Sequence, residues 1–232
     1  GLSALTQRLI VNGGAGTQTA AQMRDALAKL GDQTATTMTS GTSEFALTTT
    51  ADNLASALQF MAARVSSPVF TLEDVERERA VMANAPTMAD QEALMALMYR
   101  QHPARLPITG LAALRDTLTL EQIQDYHQQR YRTANTVVMV CGNVHSLVAR
   151  RLVEQAFVAY PVGGFAAHMA TIEPPPLAPR YQVLTSAMVR QPRVMIAWRT
   201  ENIDHAMQPS LAVLTALLSG DRGIFTRLLR PK

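Results

Sequence analysis

Histidine is the side chain that most often binds a metal or moves a proton near neutral pH, and this chain has five: His102, His127, His145, His168 and His205. None has a second histidine or a cysteine at metal-ligand spacing, and no H-E-x-x-H sequence occurs. His127, in DYHQQRY, is the one candidate for a catalytic base, although this pattern favours an ordinary half-exposed histidine on a helix. Taken alone, these residues name no reaction.

The remaining motifs of enzyme chemistry do not occur either. There is no G-x-S-x-G elbow, no phosphate-binding loop and no dinucleotide fingerprint, so GGAG at 13–16 is only a glycine-rich turn. A single cysteine, Cys141, excludes an internal disulfide and a cysteine-based zinc cluster. We expect Cys141 to be a small buried residue, because it lies in the apolar run VVMVCGNV.

Composition limits the class of protein. Apolar residues make up 47% of the 232 residues, enough for a buried core, and the net charge is only +3. The basic residues are spread along the chain, which argues against nucleic acid as a partner. No apolar stretch reaches the ~18 residues that a membrane span needs. The chain starts at Gly1 within a helical pattern, so a leader would lie upstream, and the compartment (bacterial cell envelope, periplasm or cytoplasm) stays undecided.

The elements that must position these residues are mostly helices. Apolar spacing, capping boxes and glycine stops predict helices at 2–10, 19–30, 54–65, 71–85, 88–100, from about 119, 147–160, 206–218 and from 223. The threonine-rich run at 33–50, with a break at Ser40-Gly41, predicts two strands joined by a turn. A buried strand is predicted at 136–143 and two further strands at 181–187 and 193–199.

This order of elements predicts an α+β fold with helices packed on a mainly antiparallel sheet. Residues 1–161 form a first domain that lacks some strands, and residues 162–180, with three consecutive prolines, form a linker. Residues 181–232 begin a second domain, which is cut short because its few elements cannot bury a core alone.

Four segments, in order along the chain, carry a resemblance to a known family: GLSALTQRLIVNGGAGT, VERERAVMANA, the stretch from LPITG to CGNV, and GDRGIFTRLLRPK. They resemble the M16 zinc metallopeptidases, the family of pitrilysin, insulinase and the mitochondrial processing peptidase. The resemblance implies the M16 fold with two homologous units. In active members H-x-x-E-H binds zinc, its glutamate activates water, and a glutamate about eighty residues downstream is the third ligand.

The resemblance places four residues without zinc chemistry at these positions. Ala4 and Arg8 stand at the two histidines, Gln7 at the catalytic glutamate and Ala85 at the third ligand. Alanine offers no lone pair, and a glutamine amide cannot take a proton from water. At an effective dielectric of 20, two unit charges 4 Å apart repel by about 4 kcal/mol, so Arg8 beside a dication costs roughly twice that. We therefore expect no catalytic residue and no metal in this chain, and zinc only in a partner subunit.

Glu78 matches the family's upstream glutamate in the same helix. We expect an exposed carboxylate that pairs with Arg77, Arg79 or another neighbour. The alternative is a pair with Arg8, in which an ion pair replaces the metal as the cross-link between the two helices.

Three residues are candidates for contact with a peptide substrate. Arg230 falls on the arginine with which the family's second half reaches across the cavity, while a solvated arginine near a helix end is the other interpretation. Ala35 and Thr36 stand in the strand that resembles the family's edge strand, onto which an extended peptide adds. A plain threonine-rich surface strand is the alternative there.

Three functions remain open. The chain is a non-catalytic M16 subunit that completes the chamber of a zinc-bearing partner in a heterodimer and lends it Arg230 for substrate contact. Alternatively, it is a purely structural M16-like scaffold subunit. A stand-alone enzyme of other chemistry is the third, and the absence of any clustered His, Asp and Glu argues against it.

Overall fold

The computed structural model describes residues 1–31, 33–39, 41–84, 89–163, 171–185, 192–200, 206–219 and 223–229. The chain divides into two compact units, Gly1–Leu184 and Thr185–Lys232. The predicted division into 1–161, 162–180 and 181–232 stays a prediction.

The first unit is mainly helical. Its helices are α1 Leu2–Asn12, α2 Ala20–Leu30, α3 Leu54–Ser66, α4 Leu72–Asn84, α5 Ala89–Met98, α6 Ala112–Arg115, α7 Leu120–Arg130 and α8 Ser146–Ala156. The helices predicted from apolar spacing are confirmed within a few residues at each end. The short helix α6 was not predicted.

Local hydrogen bonds fix where these helices begin and end. Thr19 and Gln22 form a capping box at the start of α2, and Thr119 and Gln122 form a second one at the start of α7. Helix α2 ends at Gly31, whose φ of 124° is a conformation that residues with a Cβ rarely adopt.

Two small antiparallel sheets accompany the helices. Strands β1 (Gly14–Ala15) and β4 (Pro68–Val69) form the first, and β2 (Gln33–Met38) and β3 (Ser43–Thr48) form the second. The predicted threonine-rich hairpin is thereby confirmed. The result is a helix-rich mixture of helices and antiparallel sheet, as the α+β prediction requires.

Helix α1 lies at the centre of the first unit. Leu5 and Leu9 are fully buried, and they pack against Val75 and Met82 of α4 and Ile123 of α7. Burying such side chains contributes roughly 1.5–3 kcal/mol each, so the position of α1 between α4 and α7 is strongly specified.

The buried strand predicted at 136–143 is wrong. Residues 136–141 belong to no helix and pair with no strand among the described residues, and Val137 and Met139 are 90% and 80% exposed. Cys141 is exposed, which also corrects its expected burial. A run of β-branched residues forms a strand only where a partner strand supplies hydrogen bonds, and the described residues supply none here.

The second unit contains helices α9 (Gln208–Ser219) and α10 (Ile224–Leu229), as predicted. The strands predicted at 181–187 and 193–199 are wrong for their described parts, 181–185 and 193–199, which belong to no sheet among the described residues. No described helix is both long enough and apolar enough to cross a membrane.

Candidate functional site

Helix α1 carries Ala4, Gln7 and Arg8, and Ala4 shares a helix face with each of the other two because it lies three and four residues before them. Ala4 and Gln7 are buried, at 7% and 6% exposure, whereas the Arg8 side chain is 37% exposed. Ala4 is part of the core packed against α4. Ala85 lies outside the described residues, so its position relative to α1 is not described.

Arg8 and Glu78 form an ion pair between α1 and α4. The Nε and Nη2 atoms of Arg8 donate to Oε2 of Glu78 at 2.9 and 2.8 Å, and the Glu78 side chain is only 4% exposed. The expected exposed carboxylate is therefore wrong, and the alternative pair with Arg8 is what the structure contains. The cause is tertiary, since the packing of α1 on α4 covers this face of α4.

A second guanidinium completes the surroundings of the Glu78 carboxylate. Arg77 Nε lies 3.5 Å from Oε1, while Arg77 also pairs with Asp74 at 2.6 Å. Arg79, the other expected partner, instead binds Glu76. Both oxygens of the carboxylate therefore face a guanidinium group, Oε2 that of Arg8 and Oε1 that of Arg77.

Gln7 is bound to the backbone of the β2–β3 hairpin. Its Nε2 atom donates to the carbonyl oxygens of Thr37 and Glu44 at 3.1 and 3.3 Å. These two acceptors lie directly opposite each other in the strand register. The amide is thereby engaged in structure, with both of its N–H groups directed at the main chain.

The donor set does not fit zinc. Ala4 has no lone pair, Arg8 is a cation already bound to Glu78, and the nitrogen of Gln7 donates to carbonyl oxygens. Within the described parts of the chain, no three His, Cys, Asp or Glu residues are grouped so that they could hold a metal ion. No step of metal chemistry can be derived through these residues.

Ala35 and Thr36 lie in the middle of β2, and both are exposed. They pair with Ala46 and Phe45 of β3 along one edge of the strand. The other edge of β2 meets no strand among the described residues. Arg230 lies outside the described residues, so its predicted contact with substrate stays a prediction.

His127 is buried rather than half-exposed, which corrects the expectation from the sequence. Its Nε2 atom lies 2.8 Å from the carbonyl oxygen of Val65, and its ring stacks on Tyr131 with 4.7 Å between centroids. The ring of Phe70 approaches edge-on at 5.6 Å. Burial lowers the pKa of His127 below its usual value, against the smaller opposing effect of the Val65 carbonyl. This histidine is a packed core residue.

Two further contacts join segments that no motif or spacing in the sequence connects. The Glu173 carboxylate accepts hydrogen bonds from three successive backbone N–H groups, those of residues 100–102, at 2.6, 2.7 and 2.8 Å. Arg180 Nη1 donates to the carbonyl oxygen of Leu97 at 2.6 Å, in the last turn of α5. The proline-rich segment that contains Glu173 and Arg180 is thus attached to the C-terminal end of α5.

Two family models match consecutive parts of the chain. The model described as "Insulinase (Peptidase family M16)" matches residues 1–111, and that described as "Peptidase M16 inactive domain" matches residues 117–231. Only residues 112–116 and Lys232 fall outside both.

Curated relatives include an uncharacterized zinc protease of Mycobacterium tuberculosis and another of Mycobacterium bovis. Each is 29% identical over 175 residues, and the alignment covers 68% of this chain and 37% of the relative. The chain therefore spans little more than a third of the length of these relatives.

Solved structures share the fold. A protease from Helicobacter pylori has a TM-score of 0.65 at 19% identity, covering 75% of this chain and 44% of its own. A peptidase M16 inactive domain from Pseudomonas fluorescens has a TM-score of 0.62 at 22% identity, and the match covers 72% of this chain and 42% of that chain. The periplasmic protease PqqL from Escherichia coli has a TM-score of 0.64 at 16% identity, and the match covers 75% of this chain and 21% of that chain. At these identities the likeness establishes the fold alone.

Proposed function

Since this chain belongs to the M16 peptidase family, we propose that it is a non-catalytic M16 subunit that completes the proteolytic chamber of a zinc-bearing partner. The two matched models follow each other along nearly the whole chain. In this proposal Ala4, Gln7, Arg8 and Ala85 are the degenerate zinc and catalytic positions. The heterodimer of this chain and its partner then degrades or processes peptides, and the partner binds the zinc.

The observation that carries the proposal is the ion pair between Arg8 and Glu78. It connects α1 to α4, the two helices that a zinc ion joins in active members according to the resemblance. The guanidinium and the carboxylate bind each other at 2.8 Å, so neither is free to bind a metal or activate water. The two helices are kept together here by a contact that supplies no catalysis.

Two surfaces would contact a peptide in such an assembly. We propose that the outer edge of β2, at Ala35 and Thr36, accepts an extended peptide through main-chain hydrogen bonds. We propose also that Arg230 contacts substrate held at the partner's zinc. The alternative is a purely structural M16-like scaffold, in which neither surface meets a substrate.

The test is cleavage of a mixed fluorogenic peptide library by the full-length protein. It is measured alone and together with a co-expressed zinc-bearing M16 protein from the same genome, each with and without a chelator. We expect cleavage only in the mixture, abolished by the chelator and weakened at least tenfold by Arg230→Ala. The matched control is Arg227→Ala, which removes an exposed arginine of α10 and should leave cleavage unchanged.

Each other outcome decides against the proposal. Chelator-sensitive cleavage by the chain alone would show that the substituted positions do not abolish zinc chemistry. A mixture that forms a stable complex but shows no gain over the partner alone would favour the structural scaffold.

A further inference from the structure

We infer that Gln7 is a positioning residue, which fastens the β2–β3 hairpin to α1, and that a glutamate at this position is incompatible with the hairpin as it is placed here. Where the resemblance places a catalytic glutamate, this chain then has a glutamine that attaches the β2–β3 hairpin to α1. A structural role replaces the catalytic one.

The hydrogen-bond geometry supplies the first step. A primary amide has two N–H groups on one nitrogen, and Nε2 of Gln7 lies 3.1 Å from the Thr37 oxygen and 3.3 Å from the Glu44 oxygen. One oxygen belongs to β2 and the other to β3, at directly opposite positions. A single side chain thus holds both strands of the hairpin.

The neighbouring contacts show that this side of α1 is the one that carries the hairpin. Ser3, one helical turn before Gln7, directs its Oγ at Sδ of Met38, 3.6 Å away. Met38 in turn packs against the core that contains Leu5. The hairpin therefore rests on α1 through Ser3 and Gln7, whereas Arg8 faces α4.

The chemistry of the two acceptors excludes an ionised carboxylate here. Glutamate has almost the same size and shape as glutamine, but when ionised it offers only acceptors. At this site it would direct two negative oxygens at two carbonyl oxygens in a buried place, since Gln7 is 6% exposed. Such an unsatisfied buried group costs more than the lost hydrogen bonds alone. The hairpin must then move away from α1 or the glutamate must take up a proton.

The charged groups on the surrounding elements do not remove this conflict. Arg8 and Glu78 bind each other, and the Glu44 side chain belongs to an exposed position of β3. On α7 and at its end, His127 and Tyr131 border the hairpin through the contact of Tyr131 with Phe45. Because His127 titrates in the native protein, every measurement is referred to the wild-type chain at the same pH.

The test is amide hydrogen exchange in β2 and β3 of the full chain, expressed as protection factors. At pH 7.5 we expect Gln7→Glu to lower hairpin protection roughly tenfold to a hundredfold, as loss of two hydrogen bonds implies. At pH 5 protection should return towards wild type, because a protonated glutamic acid can donate again. Gln7→Met, which lacks donors at any pH, should lose protection equally at both. Gln124→Glu, at an exposed position of α7, is the charge-matched control.

The hairpin protection of the Gln7 variants decides the inference. Hairpin protection in Gln7→Met and Gln7→Glu equal to that of the control would overturn the inference, as would a Gln7→Glu loss that acid does not reverse. Should Gln7→Glu unfold entirely, Gln7→Met decides, because it introduces no charge.

A consequence for peptide binding rests on the proposed function, since it requires that peptides add to the outer edge of β2. In that case Gln7→Met should weaken binding of a fluorescent peptide to the assembled complex. Loss of hairpin protection without a change in peptide binding would leave Gln7 as the hairpin anchor and count against peptide binding at this edge.

Discussion

Removing Arg8 tests whether an ion pair holds α1 to α4. An exposed ion pair contributes about 0.2–1 kcal/mol, while breaking a fully buried one costs about 3–5 kcal/mol. Here Glu78 is 4% exposed and Arg8 is 37% exposed, so solvent screens one partner only. Arg77 also remains 3.5 Å from the carboxylate after the change. We therefore expect Arg8→Met to lower the free energy of unfolding of the first unit by about 2 kcal/mol.

The reverse change should cost less. Glu78→Gln leaves a guanidinium that water can reach, so its cost should be about 1 kcal/mol. The double variant Arg8→Met/Glu78→Gln removes the buried charge as well as its partner, and it should be more stable than the sum of the two single changes predicts. A coupling energy of about 1–2 kcal/mol from the double-mutant cycle is the expected result.

Urea unfolding followed by far-ultraviolet circular dichroism is the appropriate assay. The only tryptophan of the sequence, Trp198, belongs to the second unit, whereas circular dichroism follows the helices of the first unit directly. Arg150→Met is the matched control, because Arg150 makes an exposed pair with Glu154 within α8 and should be almost neutral. A coupling energy below about 0.5 kcal/mol, or equal effects of Arg8→Met and Arg150→Met, would refute the reasoning.

Three further predictions concern other contacts. The pKa of His127 is lowered in the folded chain, so protonation favours the unfolded state and the free energy of unfolding should fall as pH drops below about 6.5. His127→Gln should flatten this pH dependence between pH 7 and 5. A free energy of unfolding that falls with pH as steeply in the variant as in the wild type would contradict the prediction. Glu173→Gln should speed hydrogen exchange of the amides at 100–102 about tenfold, and Glu154→Gln is the control. Equal exchange rates in the two variants would show that the Glu173 carboxylate does not hold this segment. Adding zinc should leave the unfolding midpoint unchanged, because Ala4 and Arg8 offer no ligand, whereas a midpoint that rises with zinc would reveal a metal site.

Features set by neighbouring residues were predictable from the sequence. The capping boxes at Thr19 and Thr119 need only a partner three residues away, and both are present. The β2–β3 hairpin follows from its threonines and its Ser40-Gly41 break, although Ser40 itself lies outside the described residues. The arrangement of family segments predicted the fold through resemblance rather than through physics.

Features that depend on tertiary packing were not predictable. Glu78 looks like a surface carboxylate in its own helix, but α1, seventy residues earlier, packs on that helix and binds the carboxylate through Arg8. His127 is buried by Phe70 and by the carbonyl of Val65, both distant in sequence. The strand expected at 136–143 failed for the opposite reason, because no described strand lies beside it.

The ion pair between α1 and α4 also changes what the stability of the chain depends on. Where a metal joins two helices, the folded state is favoured by mass action, so its stability rises and falls with the concentration of free zinc. Arg8 and Glu78 carry their link within the chain, and the strength of this ion pair varies with salt concentration instead. In the proposed pair, zinc depletion would then act on one subunit only. The present chain would stay folded and could bind its partner again when zinc returns.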